Sequence, residues 1–250
     1  MEDKLKKMKR VIIGLIVIVM LLGSVLIYQQ MEKRSYGHVL DHKLTNELGV
    51  GLATPSASYL MLSEAMEQER ISYEDLWGIM TGLRHFIGSV QDYNHFASWL
   101  NRGDPEWRRG LTVSAADDAF YYFDEQVRWL VTEAEEPIRG DGPRGHVMFE
   151  EDYMPREQKL ALSTEQLEEY TWYLGLYEAW YEAIEEVMDV PPLVEFDETQ
   201  WYHNPFVRFG TNGQESSFYD DEWVEILALL EEKTERYYEE AGRLMELEIR

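Results

Sequence analysis

Apolar positions follow two patterns in this chain: one unbroken run near the start, and stripes at helical spacing through most of the rest. The run covers residues 11–28 and is interrupted only by Gly14, Gly23 and Ser24. As a helix, its 18 residues span about 27 Å, close to the hydrocarbon thickness of a bilayer. A soluble core helix would carry a polar stripe, and this run has none. The flanks are asymmetric. Lys4, Lys6, Lys7, Lys9 and Arg10 precede it against Glu2 and Asp3, whereas Lys33 and Arg34 follow, partly offset by Glu32. The positive-inside bias therefore keeps residues 1–10 in the cytoplasm and sends the C-terminal bulk across. A cleaved signal peptide would have an apolar region of about 7–15 residues with an A-x-A-like site close behind. Here no alanine occurs before Ala53, and the nearest small-x-small triplet is Ser35-Tyr36-Gly37. The expectation is an uncleaved single-pass anchor in the cell membrane, with the lipid bilayer as partner of residues 11–28.

Beyond the anchor, stripes of period 3.6 recur and alternating strand patterns are nearly absent. Residues 29–51 read as a juxtamembrane helix that ends at Gly49 or Gly51, the usual residue of a helix stop. Pro55 and Ser56 open a helix to about residue 70. Ser72-x-x-Asp75 is a capping box, and its helix carries Leu76, Met80, Leu83, Ile87, Val90 and Ala97 to about Trp99. Ser114-x-x-Asp117 predicts the next start, with Ala116, Phe120, Phe123, Val127, Leu130 and Ala134 on one face. Ser163-x-x-Gln166 opens another, striped by Leu167, Tyr170, Leu174, Tyr177, Tyr181, Ile184 and Met188. The last helix begins near Asp220 or Asp221 and shows Trp223, Leu227, Leu230, Thr234, Tyr237, Ala241 and Leu244. Five or six helices with one apolar face each must bury those faces on one another. The predicted fold is all-α: a transmembrane helix, then an extracytoplasmic antiparallel bundle over residues 52–250.

Two connections interrupt the bundle pattern. Residues 135–146 are rich in Gly, Pro and charge, and the stretch 136–146 is the natural place for a sub-boundary. Residues 190–220 form a long loop carrying Phe196, Trp201, Tyr202, Phe206, Phe209, Phe218 and Tyr219. A loop that long and aromatic is packed against the body or functional. Asn212-Gly213 could close a small hairpin inside it.

Composition changes the picture in two ways. Cysteine is absent, which removes disulfides and a cysteine-linked lipid anchor and leaves the fold to packing alone. Charge is lopsided: the residues after Arg34 hold 16 basic against 45 acidic side chains, a formal charge of −29. Such a surface repels nucleic acid and anionic lipid. It suits a cationic partner, or simply strong hydration, and the acids are spread along every helix.

Candidate chemistry is sparse. His38 and His42 stand one helical turn apart in H-x-x-D-H and could share a metal ion, though no third ligand can be named. Glu215-Ser216 resembles the opening of the lytic transglycosylase signature. No G-L-M-Q-type segment better than Gly242-Arg243-Leu244-Met245-Glu246 follows, nor any A-Y-N-type segment. Arg139-Gly140-Asp141 spells an adhesion tripeptide within turn-forming residues. Gly78-x-x-x-Gly82 lies on an amphipathic helix and predicts close helix packing. Trp172, Tyr173 and Trp180 supplement the stripe of residues 163–188. Aromatic rings beside carboxylates are what a glycan cleft uses, so these three, with Trp201 and Tyr202, are the candidate ligand-binding residues. No Walker loop, G-x-G-x-x-G, G-x-S-x-G or nucleophilic cysteine occurs. The leading expectation is a non-enzymatic interaction or scaffold domain at the cell envelope, requiring no cofactor and working through a membrane or envelope protein partner. The alternatives are a binding module for glycan or a cationic solute, and an envelope hydrolase with a Glu or Asp acid.

Overall fold

The computed structural model describes residues 2–102, 110–133, 159–188, 190 and 221–243, leaving out the side chains of 2–13, 32–38, 42, 45 and 131–133. The chain divides into two compact units, Met1–Lys43 and Leu44–Arg250. The first is a single helix, α1 (Glu2–Lys43). Among the described residues, one helix is long and apolar enough to cross a bilayer. Its window is Gly14–Met31, with mean hydropathy 2.0 and no buried residue.

The second unit is helical, in the order α2 (Gly49–Leu52), α3 (Thr54–Glu67), α4 (Tyr73–Trp99), α5 (Leu111–Glu133), α6 (Thr164–Val187) and α7 (Glu222–Glu240). A π-helical turn, Leu44–Leu48, precedes α2. Two three-residue strands, β1 (Arg70–Ser72) and β2 (Lys159–Ala161), pair antiparallel, with Ile71 opposite Leu160. Both of those side chains are buried, which draws the start of α4 and the approach to α6 onto one core.

Helix α4 lies at the centre, packed along α5, α3 and α2. Phe86 of α4 meets Trp180 of α6 at 4.7 Å between ring centroids, and Tyr93 meets Trp223 of α7 at 5.7 Å. Phe86, Tyr93, Trp180 and Trp223 are all fully buried. Each contributes about 1.5–3 kcal/mol of burial free energy. Helix α6 packs on α7 and α3. Lys233 of α7 pairs with Glu182 and Glu186, one turn apart on α6, at 3.2 Å each.

Ser72 and Ser163 cap their helices as the sequence predicts. The backbone N–H of Asp75 donates to Ser72 Oγ (3.0 Å), and Ser163 forms a complete capping box with Gln166. Gly78 and Gly82 are close-packing positions: a Cβ on Gly78 would lie 3.1 Å from the Met61 side chain, and one on Gly82 3.0 Å from Thr54.

Several boundaries and faces differ from the sequence reading. Gly49 and Gly51 do not end a helix but lie within α2. Gly51 is small because α4 passes over it, where a Cβ would come within 2.6 Å of Ser89 Oγ. Helix α5 begins at Leu111, three residues before Ser114, since its first turn is capped from another helix. On α4 the buried face includes Phe86 and Tyr93 and leaves Ile87 half-buried, a rotation of the stripe toward α6 and α7. Helix α7 stops at Glu240, where Gly242 takes a left-handed conformation (φ +68°), and Leu244 lies outside the described residues. The connections 135–146 and 190–220 lie outside the described residues, apart from Val190.

Candidate functional site

Three helices of the second unit enclose a groove. Asp118, Tyr121, Tyr122 and Glu125 of α5 are spaced so that all project to one face. Helix α6 adds Trp172 and Tyr173. Helix α7 adds Tyr238, and Arg243 joins from just past its end. The cavity between them measures about 290 Å³. That is near the lower limit of ordinary small-molecule sites, which run from roughly 300 to 1,000 Å³.

The sequence holds this arrangement together from below. Tyr122 packs against Tyr173 (5.1 Å) and Tyr170 (6.2 Å), while Phe123, the next residue on α5, packs on the same two tyrosines from the core side. On the other wall, the hydroxyl of Tyr237 donates to the Trp172 carbonyl at 2.7 Å. Gly175 makes this approach feasible, because a Cβ there would lie 2.3 Å from that hydroxyl. Trp172 itself is half-buried, with Tyr237 tilted at 4.4 Å and Tyr238 edge-on at 5.1 Å.

Arg243 closes one end. Its guanidinium lies 4.4 Å from the Trp172 ring centroid and reaches Glu169 at 3.3 and 3.5 Å. Backbone geometry puts it there. The N–H of Gly242 donates to the Glu239 carbonyl and that of Arg243 to Tyr238, both 2.9 Å, a Schellman closure that turns the chain back over α6.

Electrostatics favour cations and donors in this groove. Burial raises the Tyr122 hydroxyl pKa, and the carboxylates of Glu169, Glu165 and Glu125 raise it further. Tyr173 is raised by burial, then by Tyr238, Glu169, Tyr122 and Asp118. Burial pushes Tyr237 up to about 12, with Arg243 opposing and Glu178 adding to the rise. These phenols therefore stay neutral at physiological pH and present uncharged rings and hydroxyls.

Of the residues singled out by sequence, Trp172 and Tyr173 come together in the groove. Trp180 lies in the core, fully buried, and its indole N–H donates to Thr234 Oγ1 at 2.8 Å. It serves packing, for the same reason that its neighbours on the stripe do. Trp201 and Tyr202 are outside the described residues, as are Glu215-Ser216 and Arg139-Gly140-Asp141. His38 and His42 fall on α1, but the His38 and His42 side chains are not described. Among the described residues, no group of three His, Asp or Glu side chains is placed to hold a metal ion.

No family model, curated protein or solved structure matches this chain.

Sequence reasoning did not single out Asp118, Tyr121, Tyr122, Glu125, Tyr238 or Arg243. The first four have a readable signal, an acid–Tyr–Tyr–acid face at positions 118, 121, 122 and 125. Arg243 has one too, since a glycine near the end of a helical stripe marks a chain reversal that aims the next side chain backward.

Proposed function

We propose that the chain is a single-pass membrane protein whose helical domain stands on the extracytoplasmic side and acts as a non-enzymatic binding domain. Its N-terminus stays in the cytoplasm, and residues 11–28 hold it in the bilayer. Three features support this topology: the apolar window in α1, its lack of burial, and the excess of lysine and arginine before it. The observation that carries the binding function is the groove, where Trp172, Tyr121, Tyr122, Tyr173 and Tyr238 surround a cavity edged by Asp118 and Glu125. Aromatic faces combined with carboxylate acceptors suit a small ligand that offers hydrogen-bond donors or positive charge.

Hydrolysis fits this geometry less well. A glycosidase flanks the scissile bond with two carboxyl groups on opposite sides. Among the described residues, the carboxylates lining the groove, Asp118 and Glu125, come from one helix wall.

Two measurements test the reading. The full chain should stay with membranes through an alkaline wash, and a C-terminal epitope should be cut by protease added to intact cells. Recovery in the soluble fraction, or an epitope protected until the cells are broken, would overturn the topology. For binding, the detergent-solubilised chain is titrated with cell-wall glycan fragments and with organic cations. A tryptophan fluorescence change that Trp172→Leu abolishes supports the groove. Equal responses from wild type and variant would count against it.

A further inference from the structure

Two helices of the second unit end in the same way. Helix α4 closes with Asn101 in a left-handed conformation (φ 55°) and the N–H of Arg102 donating to Ala97 at 2.8 Å. Helix α7 closes with Gly242 and Arg243 in the equivalent roles. Each reversal lays an arginine over a tryptophan of another helix, Arg102 over Trp223 at 5.5 Å and Arg243 over Trp172 at 4.4 Å. The surroundings then diverge. Trp223 is fully buried, and Arg102 covers it while reaching the exposed carboxylate of Asp221 beside it. Trp172 is half-buried, and Arg243 forms one wall of a cavity that continues past it toward Asp118 and Glu125.

We propose that the groove recognises a guanidinium group and that Arg243 is its intramolecular counterpart, which the ligand displaces from Trp172. This inference rests on the reading of the groove as the binding site and names the chemistry it takes. Three considerations select guanidinium. Its planar, weakly hydrated face stacks on tryptophan, and its forked donors match carboxylates such as Asp118 and Glu125, neither of which a compact ammonium does as well. A neutral pyranose taking the same ring would remove the positive charge from beside Glu169 without replacing it, whereas a second guanidinium exchanges like for like. The chain's net charge of −25 raises the local concentration of any cationic ligand and disfavours anions. The guanidinium is carried either by an arginine side chain of a partner polypeptide or by a small solute. The chemistry of the groove is the same for both.

The test uses the full chain in detergent micelles, with tryptophan fluorescence and calorimetry as readouts. The probes are ethylguanidinium, a blocked Gly-Arg-Gly tripeptide, the same tripeptide with uncharged citrulline in place of arginine, and N-acetylglucosamine. Both guanidinium probes should bind and the citrulline peptide should not. Arg243→Gln should tighten binding about two- to fivefold by removing the internal competitor for the ring. Trp172→Leu should abolish binding. Glu125→Gln, at an exposed position, should weaken it, which keeps the test decisive if Trp172→Leu unfolds the domain. Tighter binding of the tripeptide than of ethylguanidinium supports the proposal with a polypeptide source, and equal binding supports it with a small solute. Citrulline binding as well as arginine, or Arg243→Gln weakening binding, would overturn it. Trp172-dependent binding of N-acetylglucosamine alone would overturn the guanidinium assignment and leave the binding-domain reading standing. A groove that takes none of the probes, nor any glycan or cation, would overturn both.

Discussion

Glu231 is one of 48 acidic residues, and nothing in the sequence separates it from the others. In the folded chain it is buried, and it accepts from the backbone N–H groups of Leu111 (2.8 Å) and Thr112 (3.1 Å) and from the Thr112 hydroxyl (3.1 Å). A side chain of α7 thus caps the N-terminus of α5, and its negative charge also suits the positive end of the helix dipole. The Thr112 hydroxyl lies 3.2 Å from that of Thr234, which in turn accepts from Trp180, so the cap is joined to the core. Glu231→Ala should destabilise the domain by about 2–3 kcal/mol, because it strands buried donors that a charged acceptor now satisfies. Chemical denaturation checks this, and Glu231→Gln, which keeps an acceptor, should lose less. A loss below that of an ordinary surface mutation would mean that the cap is immaterial.

Helix ends, more than helix bodies, shape the groove. The body of α6 is set by its capping box and stripe, both legible in the sequence. The position of Arg243 depends instead on one residue, Gly242, whose left-handed backbone lets α7 stop and the chain turn back. A Cβ at that conformation costs roughly 1–2 kcal/mol. Gly242→Ala should therefore lower stability by about 1 kcal/mol and draw Arg243 away from Trp172. Fluorescence quenching checks the second effect: an added quencher should reach Trp172 more readily than in the wild type. Gly242→Asn should come closer to the wild type, since asparagine tolerates this conformation better than other side chains do. Asn101 occupies the equivalent position at the end of α4. The sequence pattern ran the last helix through Leu244 because a stripe of apolar residues shows where a helix can continue, not where a backbone reversal ends it.

The second unit as a whole is built on neutral aromatic rings. Burial raises the hydroxyl pKa values of Tyr73, Tyr93, Tyr122, Tyr170, Tyr173, Tyr177 and Tyr181 above their usual value of 10. The sign of the linkage follows directly. The folded state keeps these protons where the unfolded chain gives them up, so the stability they confer is full below pH 10. It is lost progressively as pH rises through the raised values. Phenolate absorbance from the cluster should therefore appear together with the loss of helical ellipticity, in one steep alkaline transition. Phenolate forming well before the helices melt would show that the cluster is open to solvent.

What the sequence determined by itself is local. The membrane-length apolar run, the helical class, two serine caps and the close-packing glycines at 78 and 82 each depend on residues within a few turns of one another, where periodicity and capping chemistry act directly. The tertiary structure alone decided which aromatics became core and which became surface. It buried Trp180 against Phe86 and Thr234 while leaving Trp172 half-open beside Arg243, though both tryptophans stand on the same helix. It also selected Asp118, Glu125 and Glu231 from a crowd of equivalent acids. The physical reason is that a stripe defines a helix face but not the neighbour that covers it. The groove lies where α5, α6 and α7 meet, and that meeting involves residues more than a hundred positions apart.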